Sequence, residues 1–482
     1  MNRQIKKLAY SIIFLFVILF LQLNNIQILQ AHKLNNAPGN NRKVISSFSR
    51  PRGAIETSDG TVVAQSVPVK DSLKLLRQYP EGSLFAPITG FYSLNYGSSG
   101  IEASYNSQLT GHNLPITSLS SLFSSHTQVG NVILTASNKI QKAAQQALGN
   151  HKGAVVALNP KTGAILALWS YPSYNPNPLA SHNGAQEQAA WQKDTTGSNP
   201  MLDRAISRTY PPGSTFKVVT SSAVLDQMPS LASHSFKYRT KIKLPDTTHY
   251  LHNFMSENCG GTMPTLFKVS CDTGYSKIGL DLGPQRLASE ASRFGIGKVP
   301  PIDIPGAAAS TFPPVSSFHN NLATLAYSAI GQYDVALTPL QDALLGAAIA
   351  NKGVIMKPHL VSQIRNNQGK LLQTISPSPW LHATSSKTAA YVTNMMIGVV
   401  NGSGGTANNM QIPGVQVAAK TGTAQTSGNL KDSWMLAFAP AHNPTVVVAA
   451  FVAAEPGLTN QTGSAQAGPV AKAVIKAALQ IP

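Results

Sequence analysis

The segment Tyr210-Pro211-Pro212-Gly213-Ser214-Thr215-Phe216-Lys217-Val218 puts a hydroxyl three residues before an amine. Residues three apart share a helical face, so Ser214 and Lys217 can come within hydrogen-bonding reach if a helix begins here. That is a nucleophile beside a base. The positive field of a helix N-terminus would hold down the lysine pKa and favour negative charge developing at a bound carbonyl. A serine and a lysine at this spacing also arise by chance, so the pair gains meaning only from other groups that join it. Two further runs can do so: Ser270-Cys271-Asp272, and Lys420-Thr421-Gly422-Thr423 within Val417 to Ala424.

The elements that would carry these residues are legible as pattern. Two prolines and Gly213 end whatever precedes Ser214, and Phe216, Val218, Val219, Ala223 and Val224 follow at helical spacing up to Gln227. The apolar runs 154–158 and 164–169 are joined by Asn159-Pro160-Lys161-Thr162-Gly163, the composition of a hairpin turn. The stretch from 223 to 349 reads as mainly helical with Pro- and Gly-rich breaks, and a long helix from Pro339 to Asn351 stops at Lys352-Gly353. Strands are predicted at 415–426, 433–439 and 445–452, and a last helix at 469–479. Two early strands and three late ones predict an α+β fold with one five-stranded antiparallel sheet and helices on its faces.

Upstream, Arg3, Lys6 and Lys7 precede a run of apolar residues from Leu8 to Leu21, and no small-residue cleavage site follows. This order predicts an uncleaved single membrane span with its basic end in the cytoplasm and the rest outside it. Residues 31–50 read as a polar tether. A pair of strands around Asp59-Gly60 and a strand at 132–134 suggest a non-catalytic α+β platform, followed by an amphipathic helix from Asn138 to Leu148. The expected domains are therefore 1–30, 31–150 and 151–482.

The 482 residues give room for such a division, and 43% hydrophobic with 12% charged residues excludes a disordered chain. The net charge of +18 calls for acidic partners. Lys and Arg are dispersed, with no basic helix, RNA-binding strand or Cys/His finger, so no nucleic-acid partner is expected. The 12 His residues show no ligand spacing, and neither a metal nor a cofactor is expected. Cys259 and Cys271 read equally as a bridged pair outside the cytoplasm or as two buried thiols.

S-x-x-K at Ser214 and Lys217, a variant of S-x-N at Ser270 to Asp272, and K-T-G at Lys420 to Gly422, in that order, resemble the signature of penicillin-binding proteins and serine β-lactamases. Similarity continues through Gly153 to Lys217, including Leu179-Ala180-Ser181-His182-Asn183 and Arg204-Ala205, then Ile330-Gly331-Gln332, Ala336-Leu337-Thr338-Pro339 and Trp434 to Pro440. It is strongest to class B penicillin-binding proteins and covers the chain after its anchor. The resemblance implies a penicillin-sensitive peptidoglycan D,D-transpeptidase, with stem peptides and β-lactams as ligands and a membrane-embedded glycan polymerase as partner. Ser214 would be the nucleophile, Lys217 its base, Ser270 a proton relay and Lys420 a positive charge toward the substrate carboxylate. Thr421 and Thr423 would offer hydroxyls to that carboxylate, and Gly422 would allow a close backbone approach. The main-chain N–H groups of Ser214 and Thr423 would form an oxyanion hole.

Asp272 departs from the family's usual Asn. An ionised Asp only accepts hydrogen bonds, so it would lose contact with a substrate carbonyl and could instead pair with Lys217 or Lys420. Two rival functions remain: a D,D-carboxypeptidase, which passes the acyl group to water, and a membrane-anchored scaffold with a weakened site. A β-lactamase is disfavoured because no acidic motif suits a deacylating base.

Overall fold

The computed structural model describes residues 3–30, 48–112, 129–426, 428 and 430–481; the expected polar tether lies largely outside them. The chain divides into two compact units, Met1–Pro51 with Val67–Leu76, and Arg52–Ser66 with Arg77–Pro482. In the first, helix α1 (Arg3–Asn24) buries none of its residues. Its 22 residues rise about 33 Å, and the segment Arg3–Gln27, whose mean hydropathy reaches 1.9, is long and apolar enough to cross a membrane.

The second unit begins with strand β1 (Ile55–Glu56) and the first five residues of β2 (Val62–Pro68), and β3 (Gly130–Leu134) follows downstream. Helix α2 (Asn138–Leu148) has the predicted bounds, and its buried face carries Ile140, Ala144 and Leu148. Strands β4 (Gly153–Leu158) and β5 (Ile165–Tyr171) form the predicted hairpin. Helix α3 (Lys217–Gln227) is preceded by a 3-10 turn, Gly213–Phe216. Between residues 236 and 261 the prediction of helix fails: four short strands, β6 (Phe236–Arg239), β7 (Lys241–Lys243), β8 (Tyr250–His252) and β9 (Cys259–Gly261), form two hairpin-like pairs. In β7 and β8 exposed basic or aromatic groups flank a single buried apolar one, and β6 buries only Phe236, so no long apolar run announces them. Helices α4 (Asp272–Leu282) and α5 (Pro339–Ala350) come next, then β10 (Val361–Asn366), β11 (Leu371–Thr374) and helix α6 (Ser386–Asn401). The chain closes with β12 (Ala418–Gln425), β13 (Lys431–Ala439), β14 (Val446–Val452) and helix α7 (Gly468–Ala478).

The predicted five-stranded antiparallel sheet is present in the order β12-β13-β14-β4-β5. Helices α2 and α7 pack on one side and α5 on the other. Strands β4 and β14 are buried at every position, which is why they read as unbroken apolar runs rather than alternating ones. A second, mixed six-stranded sheet includes β11-β10-β3-β1-β2 in that order. Its β10 comes from deep in the later sequence and pairs antiparallel with β3, from Val361 opposite Leu134 to Asn366 opposite Gly130.

Two buried carboxyls show opposite electrostatics. In the first, Glu102 accepts from Arg52 Nε and Arg77 Nε, each at 2.6 Å. Burial pushes the Glu102 carboxyl up, but the two guanidiniums outweigh it and hold it below the usual range. Asp342, on the wholly buried helix α5, has no such partner. Neither of its oxygens accepts a hydrogen bond of good geometry, and burial, opposed by the Thr215 hydroxyl, pushes the carboxyl up to about 7.

The pH consequences differ in sign. Glu102, whose folded pKa is depressed, stabilises the fold at neutral pH and loses that contribution as pH falls. Glu102→Gln leaves two buried guanidiniums without a counter-charge, so it lowers stability at neutral pH by about 3–5 kcal/mol, read as a drop in Tm. Asp342, whose folded pKa is raised, destabilises the fold increasingly as pH rises through about 7. Asp342→Asn therefore raises Tm above that pH, and the gain fades on acidification; a gain independent of pH would show that Asp342 is not held protonated.

Candidate active site

Ser214 stands at the mouth of the sheet because the chain before and after it is pinned. Tyr210 exchanges two main-chain hydrogen bonds with Leu337, at 2.9 and 2.8 Å. The Trp434 indole on β13 donates to Pro211 O at 2.9 Å, and the Tyr210, Trp434 and Phe451 rings pack together. Gly213 adopts φ 55°, and its N–H donates to Gly331 O at 2.9 Å. The 3-10 turn thus carries Ser214, partly exposed, while Lys217 begins α3 wholly buried.

Strand β12 is an edge strand, and it lies against this turn. A Cβ on Gly213 would fall 2.6 Å from Thr423 O, and one on Gly422 would fall 2.6 Å from Pro212 O. Only glycine permits that approach at both positions, so Gly422 seats the strand against the nucleophile's own backbone. Register on β13 sets Lys420 opposite Leu436 and Thr423 opposite Ser433. The Thr421 hydroxyl shares a hydrogen bond with that of Thr406 at 2.8 Å, and the Thr423 hydroxyl accepts from Gly463 N at 3.3 Å.

The middle run supplies the third wall. A disulfide joins Cys259 to Cys271 and ties β9 to the residue between Ser270 and Asp272, deciding between the two readings left open by the sequence. Ser270 sits in the left-handed region at φ 59°, a strained position for a residue with a Cβ. Its hydroxyl lies between two amines: Lys420 Nζ donates to it at 2.8 Å and Lys217 Nζ at 3.3 Å. Lys217 Nζ also donates to Ser270 O and to Asp272 Oδ1, each at 2.7 Å.

Among the described residues, Ser214 and Lys217 share no hydrogen bond, although they lie three positions apart. Asp272 provides the physical reason: its carboxylate attracts the buried ammonium more strongly than a neutral hydroxyl does. Of the two pairings open to Asp272, the structure forms the one with Lys217.

Charge in this cluster is constrained by burial. Both amines are fully enclosed. Burial pushes the Lys217 amine down, while Asp272 pulls it back up. Burial pushes Lys420 further down, and the neighbouring positive charge of Lys217 adds to it. The arrangement therefore favours one ammonium, at Lys217 against Asp272, and one amine readily found neutral, at Lys420. Such a cluster can hold and pass a proton through the Ser270 hydroxyl.

All the residues singled out in the sequence line one site, together with three that were not: Thr406, Trp434 and Gly463. The run Gly402-Ser403-Gly404-Gly405 signals a turn before Thr406, but nothing in it points to Thr421. Trp434 was noted only as part of a similar stretch.

Residues 153–476 match the penicillin binding protein transpeptidase domain, and residues 52–133 the penicillin binding protein A dimerisation domain. The chain is 38% identical over 498 aligned positions to the peptidoglycan D,D-transpeptidase PbpA of Mycolicibacterium smegmatis, covering 100% of this chain and 99% of that one. The same figures hold for PbpA of Mycobacterium tuberculosis. Among solved structures, the ceftriaxone acyl-enzyme complex of M. tuberculosis penicillin-binding protein A superposes with a TM-score of 0.84 at 38% identity, covering 90% of this chain and all of that one. Its penicillin G acyl-enzyme complex gives 0.80, over 89% of this chain and all of that one. The domain match spans well over half of the sequence and the relatives align from end to end; the chain belongs to the penicillin-binding protein transpeptidase family, in its class B.

Proposed function

We propose that the protein is a penicillin-sensitive peptidoglycan D,D-transpeptidase acting through a Ser214 acyl-enzyme. The observation that carries this reading is the convergence of Ser270, Lys217 and Lys420 into one hydrogen-bonded cluster beside the turn that bears Ser214. The Ser214 oxygen attacks the carbonyl between the two terminal D-alanines of a stem peptide. Lys217 takes the Ser214 proton. The main-chain N–H groups of Ser214 and Thr423 receive the developing oxyanion, a donor pair typically worth about 10²–10³ in rate for each member.

As the tetrahedral intermediate collapses, the C–N bond breaks and the departing D-alanine nitrogen gains a proton through Ser270. An amine of a neighbouring stem peptide then attacks the ester, regenerates Ser214 and leaves a cross-link. Once Lys420 holds the proton that leaves Lys217 through the Ser270 hydroxyl, it draws in the substrate's terminal carboxylate electrostatically, with Thr421 and Thr423 as hydroxyl donors.

Asp272 bears on the first of these steps. It stabilises the charged form of Lys217, so the base becomes competent only when that amine loses its proton. The site works if its proton moves off before attack, and the low-dielectric setting that depresses both lysines favours that loss.

The remaining architecture fits a single-pass anchor at 1–30, a non-catalytic platform at 31–150 and a transpeptidase domain at 151–482 outside the cytoplasm. A membrane-embedded glycan polymerase is the fitting partner, since it would deliver nascent strands on the same side of the membrane.

Intact mass spectrometry after benzylpenicillin treatment should show a single adduct that maps to the peptide containing Ser214, and Ser214→Ala should show none. An adduct on another residue, or none on the wild type, would leave the scaffold reading in its place. Acylation rate against pH tests Asp272. Replacing it with Asn removes the charge that holds Lys217 protonated, so the acidic limb moves to lower pH; a limb that stays where it was would mean that Asp272 does not tune the base.

A further inference from the structure

One contact between the two walls of this cleft lies away from the catalytic cluster. Lys431 opens β13, opposite Gln425 at the far end of β12 from Lys420. Its ammonium lies 4.9 Å from the centroid of the Phe254 ring. Phe254 belongs to the other wall. The preceding residue, Asn253, accepts from Thr273 N at 2.9 Å and donates to Arg239 O and Glu257 O, which fixes it to the first turn of α4 behind Asp272. The disulfide fixes the same segment a second time, through Cys259. Contacts therefore run in a closed ring: Lys420 to Ser270, through Cys271 to Cys259, along to Phe254, across to Lys431, and back through β13 and β12.

Two features mark this contact as one that can be exchanged. Among the described residues Lys431 makes no ion pair, and the Phe254 ring is its side-chain partner. Phe254 is 39% exposed and the adjoining Met255 82% exposed, with Met255 and Ser256 both in the left-handed region at φ 48° and 59°. A half-solvated cation is held over a ring less tightly than by a charge-assisted bond to a carboxylate.

The direction of the substrate follows from the roles already assigned. Thr421 and Thr423 take the terminal carboxylate, and Ser214 takes the carbonyl before it. The remainder of the stem then runs past Thr423 toward Gln425, the exposed end of β12, and Lys431 opposite it. We propose that Lys431 is a specificity-determining residue, releasing the Phe254 ring to bind a side-chain carboxylate of the donor stem peptide upstream of the scissile bond. This rests on the Ser214 acyl-enzyme reading.

A matched pair of penicillins tests it on the full-length protein: benzylpenicillin, and carbenicillin, which adds one carboxylate on the side-chain carbon next to the amide carbonyl. The measurement is the ratio of their second-order acylation rates, followed by intact mass. Lys431→Gln lowers the carbenicillin-to-benzylpenicillin ratio by about threefold or more. Lys431→Arg restores it, and added salt lowers it in the wild type. Phe254→Leu removes the competing ring and raises it. A ratio that is the same in wild type and Lys431→Gln, or an equal loss with both penicillins, overturns the inference alone. Absence of any adduct on the wild type overturns it together with the acyl-enzyme reading.

Discussion

Everything at the site depends on putting two lysine amines and one carboxylate where water cannot reach the amines. In water, Lys217 and Lys420 would both be charged, and neither could act on a proton. Enclosed together around the Ser270 hydroxyl, they cannot both carry charge cheaply, so the protonation state of one depends on the other. Asp272 decides which amine holds the proton. The left-handed backbone of Ser270, the disulfide beside it and the glycine approach of β12 to the Ser214 turn are the means by which three distant segments are held at that geometry.

The fold that holds them was visible in the sequence wherever a segment is buried on both sides or on one clean face. Strands 153–158 and 446–452 are apolar throughout because the sheet is covered on both faces, and helix 138–148 alternates with helical period because only one face is covered. The strands between 236 and 261 were not visible, since each buries one or two side chains and leaves its charged neighbours in water. Three strands of the six-stranded sheet, Leu75–Gln78, Val361–Asn366 and Leu371–Thr374, were also missed; Leu371–Thr374 is largely exposed and has no periodic signal to lend.

The site was legible to the level of residue types and failed at the level of partners. Ser214, Lys217, Ser270, Asp272 and Lys420 announce themselves by spacing and by what surrounds them. Which of them touch depends on long-range placement: Ser214 and Lys217 lie three positions apart, yet the amine turns to Asp272, 55 positions away. Helical spacing states what is within reach, and electrostatics chooses among the groups within reach.

The pairing of β10 with β3 has a bearing on how the chain is made. More than two hundred residues, including most of the transpeptidase domain, separate the partners, so this sheet cannot be completed until nearly three quarters of the polypeptide has been made. Loop closure over such a separation is entropically costly and slow, and unpaired edges stay exposed meanwhile. The early strand β3 therefore waits for its partner β10, and the sheet they share is finished only after the strands and helices that lie between them in sequence have been made.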